Sequence, residues 1–302
     1  MTKILVTGGS GLVGTHLKDL LPNAVYVSSK EYNLLCQKQT EDMFLEHRPD
    51  AVIHLAARVG GIKDNISHPV EYIEENTLIN TNVIKNCHTY NVNKVIAILS
   101  TCVYPDTCNS YPVKESDLFN GPPADSNFAY SMSKRCMATQ IDSYVKQYDK
   151  KWSYLIPCNL YSEYDKYEEH NSHFVSALIK KIHEAEDHIE LWGTGKPLRQ
   201  FMYGKDFADI ILYILNNNIV GNFNVAPDWT YSINEMAEIA KIACKKKHLS
   251  VVYKNPDLDG QFRKDVDSSK LLEAIGAFKF TSLHNGIEKV YKAMRFKWEK
   301  QH

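Results

Sequence analysis

The sequence predicts an α/β fold, a doubly wound parallel sheet with a smaller C-terminal α/β domain. Three observations carry this expectation. Short apolar runs alternate with longer amphipathic stretches through the first half, the pattern of parallel strands joined by crossover helices. A glycine-rich segment, Thr7-Gly8-Gly9-Ser10-Gly11-Leu12-Val13-Gly14, directly follows the first apolar run and opens the first amphipathic stretch. After residue 158 the alternation breaks, and aromatic and charged residues crowd segment 159–203.

Taken in order, residues 4–7 read as a strand and 12–21 as a helix. Residues 24–27 then read as a strand, 38–47 as a helix and 51–55 as a strand. A helix over about 70–90 leads to a strand at 95–99, and a long helix at about 128–149 leads to a strand at 152–157. Segment 204–225 reads as a helix and strand that return to the sheet; a helix near 232–247 and a C-terminal helix follow. The expected division is therefore 1–158 plus 204–225 for one domain, and 159–203 plus 226–302 for a second.

Composition narrows the class. With 302 residues, 44% hydrophobic and 24% charged, the chain has the make-up of an ordinary globular protein. Its 35 basic and 36 acidic residues leave a net charge of −1, which draws it neither to nucleic acid nor to a membrane surface. The longest apolar runs are strand-sized, well short of the ~20 residues of a membrane helix. The N-terminus enters a strand at once, leaving no room for a signal peptide. Seven cysteines are scattered without a C-x-x-C pair, so neither a disulfide framework nor a zinc site is expected. A cytoplasmic protein with reduced thiols is the expectation.

The glycine-rich loop has the context that gives such a loop meaning. Glycines let the backbone turn tightly and approach a pyrophosphate, and the helix N-terminus supplies N–H groups and partial positive charge. At the end of the second strand, Val27-Ser28-Ser29-Lys30 offers hydroxyls and a cation, with Glu31 beside them. Ser29 and Lys30 suit the 2′-phosphate of NADP(H).

Two further stretches carry chemistry. Ser100-Thr101-Cys102-Val103-Tyr104-Pro105 follows the apolar run 95–99. If the strand stays extended, Ser100 and Cys102 face the same space. Cys102 alone reads as a small buried hydrophobe; its place two residues after Ser100 makes it a candidate base. Tyr130 and Lys134 share a helix face at i, i+4 spacing, where an ammonium lowers the phenol pKa and lets it serve as an acid toward a carbonyl or alkoxide.

The T-G-x-x-G-x-x-G loop, Ser100 and the Tyr130/Lys134 pair, in that order on one α/β pattern, resemble the extended short-chain dehydrogenase/reductases. His54-Leu55-Ala56-Ala57 is similar to the segment of that family lining the cofactor. The resemblance implies a Rossmann-type NADP-binding domain and a nucleotide-sugar domain. It tightens at Arg58-Val59-Gly60-Gly61-Ile62, Asn120-Gly121-Pro122-Pro123, Ile156-Pro157-Cys158-Asn159-Leu160-Tyr161, Asn171-Ser172-His173, Leu191-Trp192-Gly193-Thr194-Gly195-Lys196-Pro197-Leu198-Arg199-Gln200-Phe201 and Asp259-Gly260-Gln261. These stretches resemble the members that epimerise C3 and C5 of GDP-4-keto-6-deoxy-D-mannose and reduce C4 with NADPH.

That resemblance implies Cys102 as the base and His173 as the acid of epimerisation. Ser100 and Tyr130 would bind O4, Tyr130 would protonate the alkoxide, and Lys134 would bind the nicotinamide ribose. Cofactor contacts would come from Gly8, Gly9, Ser10, Gly11, Leu12, Val13, Gly14, Ser29, Lys30, Ala56, Pro157, Cys158, Asn159, Leu160 and His173. Asn159, Lys181, Trp192, Arg199 and Asp259 would contact the GDP-sugar. Asn159-Leu160-Tyr161-Ser162-Glu163-Tyr164-Asp165 departs from the family pattern, which has Gly-Pro where Ser162-Glu163 stand. The family also implies a homodimer through the helices at about 70–90 and 128–149. A nucleotide-sugar 4-epimerase, a 4-reductase lacking epimerase activity, and a silent NADP-binding regulatory module are the alternatives; neither of the first two needs both Cys102 and His173.

Overall fold

The apolar runs of the first half become the strands of one parallel sheet in the computed structural model, which describes residues 2–165 and 173–299. In chain order the first half holds β1 (Ile4–Thr7), α1 (Leu12–Leu20), β2 (Val25–Val27), α2 (Gln37–His47), β3 (Ala51–His54), α3 (Ile62–Ser67), α4 (Pro69–Thr89), β4 (Lys94–Ile98), α5 (Phe128–Tyr148) and β5 (Lys151–Pro157). There follow β6 (Asn159–Tyr161), α6 (Phe174–Glu184), β7 (His188–Trp192), β8 (Leu198–Arg199), β9 (Phe201–Tyr203), α7 (Gly204–Asn216) and β10 (Phe223–Val225). The chain closes with β11 (Tyr231–Ser232), α8 (Ile233–Ala243), β12 (Ser250–Lys254), α9 (Ser269–Ile275) and α10 (Leu283–Glu299).

The main sheet runs β10-β5-β4-β3-β1-β2, parallel throughout. Helices cover both faces, so every residue of β3 and β4 is buried, which explains their continuous apolar character. Besides His54 at the end of β3, the polar exception is Lys94. Its ammonium donates to the carbonyls of Ile214 (2.9 Å) and Leu215 (3.0 Å), at the negative C-terminal end of α7. The strand order reverses between β1 and β3, and ligands of such sheets bind outside the C-terminal strand ends at that point.

A second apolar core lies among α6, α8 and α10, with Ile179, Ile182, Met236, Ala240, Ile287 and Val290 at its centre. The parallel pair β7/β12 flanks it. Ser232 starts α8 with a reciprocal cap: its hydroxyl accepts the Glu235 N–H (3.1 Å), while the Glu235 carboxylate accepts the Ser232 N–H (2.8 Å). The parallel pairing of β6 with β9 joins the two cores where the chain leaves and re-enters the main sheet. From the C-terminal part, Val266, Leu271 and Ile275 pack into the first core rather than the second. Among the described residues, no helix is long and apolar enough to cross a membrane.

Candidate active site

The ends of β1 and β3 meet at the point of strand-order reversal. Gly8 sits at φ +71°, and a Cβ there would lie 2.8 Å from the Ala56 nitrogen, so only glycine brings the loop this close to the end of β3. A Cβ on Gly14 would lie 2.7 Å from the Gly8 oxygen, which seats the first turn of α1 on the loop. Gly9 N–H donates to Val27 O (2.9 Å) and Gly11 N–H to Gly8 O (3.0 Å), fixing the path between β1 and β2. Among the described residues no side chain caps α1, so its positive end and the N–H groups near Ser10, Leu12 and Val13 stand ready for an anion. This cradle, which one Cβ would fill, fits the pyrophosphate of a dinucleotide. Beneath it, His54 Nδ1 lies 2.8 Å from Thr7 Oγ1 and its Nε2 3.1 Å from Asn80 Oδ1. Burial, helped by the Lys134 charge, pushes the imidazole down to about 3, so it serves as a neutral strut.

Beyond β2, Ser29 and Lys30 are exposed at the strand end. The Glu31 carboxylate accepts the Ser28 N–H (2.7 Å) and the Ser28 hydroxyl, turning its charge back onto its own turn. Ser29 and Lys30 thus present hydroxyl and cation where a 2′-phosphate would sit. On the other side, Pro157, Cys158, Asn159 and Leu160 carry the chain from β5 into β6. Cys158 is buried, and burial pushes its thiol far above the ordinary range. The Asn159 amide donates to Gln200 O (2.9 Å), anchoring β6 to the strand beside it.

The candidate reaction centre lies past the end of β4. The extended course expected through Ser100 and Cys102 is not kept: residues Thr101–Val103 fold into a single 3₁₀ turn with Ser100 as its cap. The Ser100 hydroxyl accepts the Cys102 N–H (3.3 Å), the usual competition of a serine side chain with extended backbone. The turn still leaves the Ser100 hydroxyl and the Asn127 side chain close enough to the thiol to favour its charged form. Lys264, far along the chain, places Nζ 2.9 Å from Cys102 Sγ. Burial pushes the thiol up, but the Lys264 charge and the hydrogen bonds from Lys264, Ser100 and Asn127 outweigh it and hold the thiol below its ordinary value.

Tyr130 and Lys134 stand one turn apart on α5, but the expected lowering of the phenol is reversed. Burial, with the nearby Cys102 and Tyr72, raises Tyr130 well above the ordinary phenol value. Lys134 is itself buried and pushed down to about 7, with its Nζ bonded to Ile98 O (2.8 Å), and does not offset that burial. Tyr130 is therefore kept neutral, the form that donates a proton.

His173 precedes α6, and its Nδ1 lies 2.8 Å from Asp165 Oδ1; the other carboxylate oxygen accepts the Ser176 hydroxyl (2.7 Å). A carboxylate on Nδ1 orients the ring. Asn171 and Ser172 of the same stretch lie outside the described residues. The Ser162-Glu163 departure links the two cores: Ser162 Oγ lies 2.8 Å from His16 Nε2 on α1, and Tyr203 OH donates to Glu163 (2.8 Å).

The expected substrate residues are spread over the C-terminal half. Lys181 donates to Glu190 O (2.8 Å). Trp192 is half exposed, with Lys63 Nζ of α3 over its ring at 3.8 Å, a contact spanning the cleft. The Arg199 guanidinium donates to Leu198 O (2.8 Å); burial lowers its pKa, opposed by Cys102 and Asp259, which places it near both. Asp259 accepts the Thr194 N–H and hydroxyl, each at 2.6 Å, and so locks the loop after Trp192. Sequence reasoning missed Lys264, Asn127, Asp165 and Lys63. Of these only Asp165 lay in a stretch already singled out, and nothing in the sequence marks Lys264 among its many lysines.

A model of the NAD dependent epimerase/dehydratase family matches residues 4–226. Over 94% of this chain and 92% of its own length, a GDP-L-fucose synthase of Dictyostelium discoideum is 34% identical. A GDP-L-colitose synthase of Yersinia pseudotuberculosis is 36% identical over 95% of this chain and 96% of its own. Among solved structures, a GDP-L-fucose synthetase from Naegleria fowleri bound to NADP superposes with a TM-score of 0.89 at 29% identity, covering 99% of this chain and 94% of that one.

Proposed function

Since the chain belongs to the NAD dependent epimerase/dehydratase family, we propose that it is an NADP(H)-dependent enzyme with GDP-L-fucose synthase activity. It would convert GDP-4-keto-6-deoxy-D-mannose by epimerisation at C3 and C5 and reduction at C4. The relatives that share nearly its full length support this reading. The observation that carries it is Cys102, a thiol held below its ordinary value beside the Ser100 hydroxyl and the neutral Tyr130 phenol. A plain 4-reductase needs the hydroxyl and phenol but no base.

The C4 ketone acidifies the hydrogens on C3 and C5. Ser100 and Tyr130 hydrogen-bond O4 and stabilise the enolate. Cys102 takes the proton from one face, and His173, oriented by Asp165, returns one to the other. Tyr130 then gives its proton to the O4 alkoxide, and Lys134, bonded to the end of β4, would also hold the nicotinamide ribose. The cofactor, when bound, supplies hydride for C4; the loop at Gly8–Gly14, Ser29, Lys30 and Ala56 would hold it. Arg199 and Lys181 exchange their backbone carbonyl partners for the GDP diphosphate, and Trp192 packs on the nucleotide-sugar.

The proposed division is an NADP-binding domain of 1–158 plus 204–225 and a nucleotide-sugar domain of 159–203 plus 226–302; the second core supports it, while Val266, Leu271 and Ile275 of the last segment pack with the first core. A homodimer through α4 and α5 is part of the proposal. Their outer faces expose Val70, Leu78, Phe128 and Met132, and Pro69, Ile73 and Ala129 complete an apolar recess of about 260 Å³ there. Seven free thiols suit a reducing cytoplasm.

The test supplies GDP-4-keto-6-deoxy-D-mannose and NADPH. Cofactor oxidation with formation of GDP-L-fucose is expected; no turnover by folded protein sinks the assignment. The 36% identity to a GDP-L-colitose synthase favours a second reading, another GDP-linked keto sugar as substrate, and product analysis decides between them.

A further inference from the structure

We propose that Lys264 is the positioning residue of the epimerisation base: its ammonium, carried by a pinned segment of the C-terminal half, holds Cys102 as an aligned thiolate. This rests on the reading of Cys102 as the base.

The segment has little freedom. Leu198 N–H donates to Phe262 O (2.8 Å), Val113 N–H to Asp265 O (2.9 Å), Asp267 N–H to Val113 O (2.8 Å) and Val266 N–H to Gln200 Oε1 (2.9 Å). Arg263 and Asp265 pair with each other at 2.6 Å, while Lys264, between them, reaches Cys102 Sγ at 2.9 Å. In extended chain, alternate residues face opposite sides, which separates that ion pair from the lysine. Just upstream, Gln261 donates to Pro105 O (3.1 Å) and Asp106 O (2.8 Å), clamping the segment to the loop that follows Cys102. The backbones on either side of the thiol–ammonium contact are thus tied together, and a flexible lysine stem is not left to find its partner unaided.

The groups facing Cys102 are of one sign. Lys264 and Arg199 are cations; Tyr130 is raised by burial and stays neutral. The Asp259 carboxylate near Arg199 is bound by Thr194. In the step itself, the thiolate lone pair forms S–H with the C3 or C5 proton. The C–H pair becomes the enolate C=C bond, and the carbonyl π pair moves to O4. The neutral thiol then loses its proton to solvent and returns to the charged form beside the Lys264 ammonium.

The experiment follows alkylation of Cys102 by iodoacetamide against pH in the full-length protein, read by peptide mass spectrometry, for wild type, Lys264→Met and Lys264→Arg. Cys36, at the start of α2, is the internal control. The midpoint for Cys102 is expected to rise by one pH unit or more in Lys264→Met, about a tenfold slower reaction near neutrality, and to return most of the way in Lys264→Arg. The acid limb of deuterium exchange at C3 and C5 should move with it. Lys264→Gln gives the same reading should Met disturb the loop. An unshifted Cys102 midpoint in both Lys264→Met and Lys264→Gln overturns the inference. Undiminished exchange in Cys102→Ser is a separate result that removes the base assignment itself.

Discussion

Lys134 Nζ donates to the Ile98 carbonyl oxygen at 2.8 Å and stands 5.9 Å from the centroid of the Tyr130 ring. The bond ties α5 to the last residue of β4, two residues before Ser100. Phenol, hydroxyl and thiol are thereby carried on one frame. The buried amine is the cost of that frame.

That cost has a sign that can be measured. The unfolded chain takes up the lysine proton below its ordinary value of 10.5, the folded chain only below about 7. Stability therefore falls as pH drops from about 10 to about 7 and stays level below that, a penalty of up to about 5 kcal/mol. Losing the hydrogen bond to Ile98 offsets about 1–3 kcal/mol of any gain from removing the amine. Relative to wild type, Lys134→Met should grow more stable across that interval while losing catalysis. Denaturant titrations of both apoproteins at several pH values check this; a stability difference that ignores pH contradicts it.

Tyr130→Phe keeps the edge-on packing against Tyr72, whose ring centroid lies 6.1 Å away, and removes only the donor. Reduction should slow by about 10²–10⁴-fold with NADPH affinity and melting temperature unchanged. Near-normal kcat would take the acid role away from this phenol.

The apolar face of α4 and α5 predicts a dimer that one charge can split. Met132, exposed on α5 beside Val70 and Phe128, is the point to place it. Light scattering should give a dimer for wild type and a monomer for Met132→Lys. A wild-type monomer at micromolar concentration rules the interface out.

The central sheet was legible because its strands are buried on both faces and read as unbroken apolar runs, and the phosphate loop because its glycines sit at a strand–helix junction. The turn at Ser100–Cys102 was not, since a serine cap competes with extended backbone on terms local sequence does not reveal. The pair β6/β9, three residues each, is too brief to show a period, and β7 and β12 alternate covered with exposed positions instead of running apolar. Lys264 was invisible for a simpler reason: its partner is 162 positions away, and only the fold brings them together. The sign of the Tyr130 shift failed because spacing alone does not show that both members of the pair are buried.

The most direct test of the central claim is turnover of GDP-4-keto-6-deoxy-D-mannose with NADPH in deuterated water, followed by NMR of the product. GDP-L-fucose carrying solvent deuterium at both C3 and C5 is the expected product. A C4-reduced product with hydrogen retained at C3 and C5 would contradict that claim.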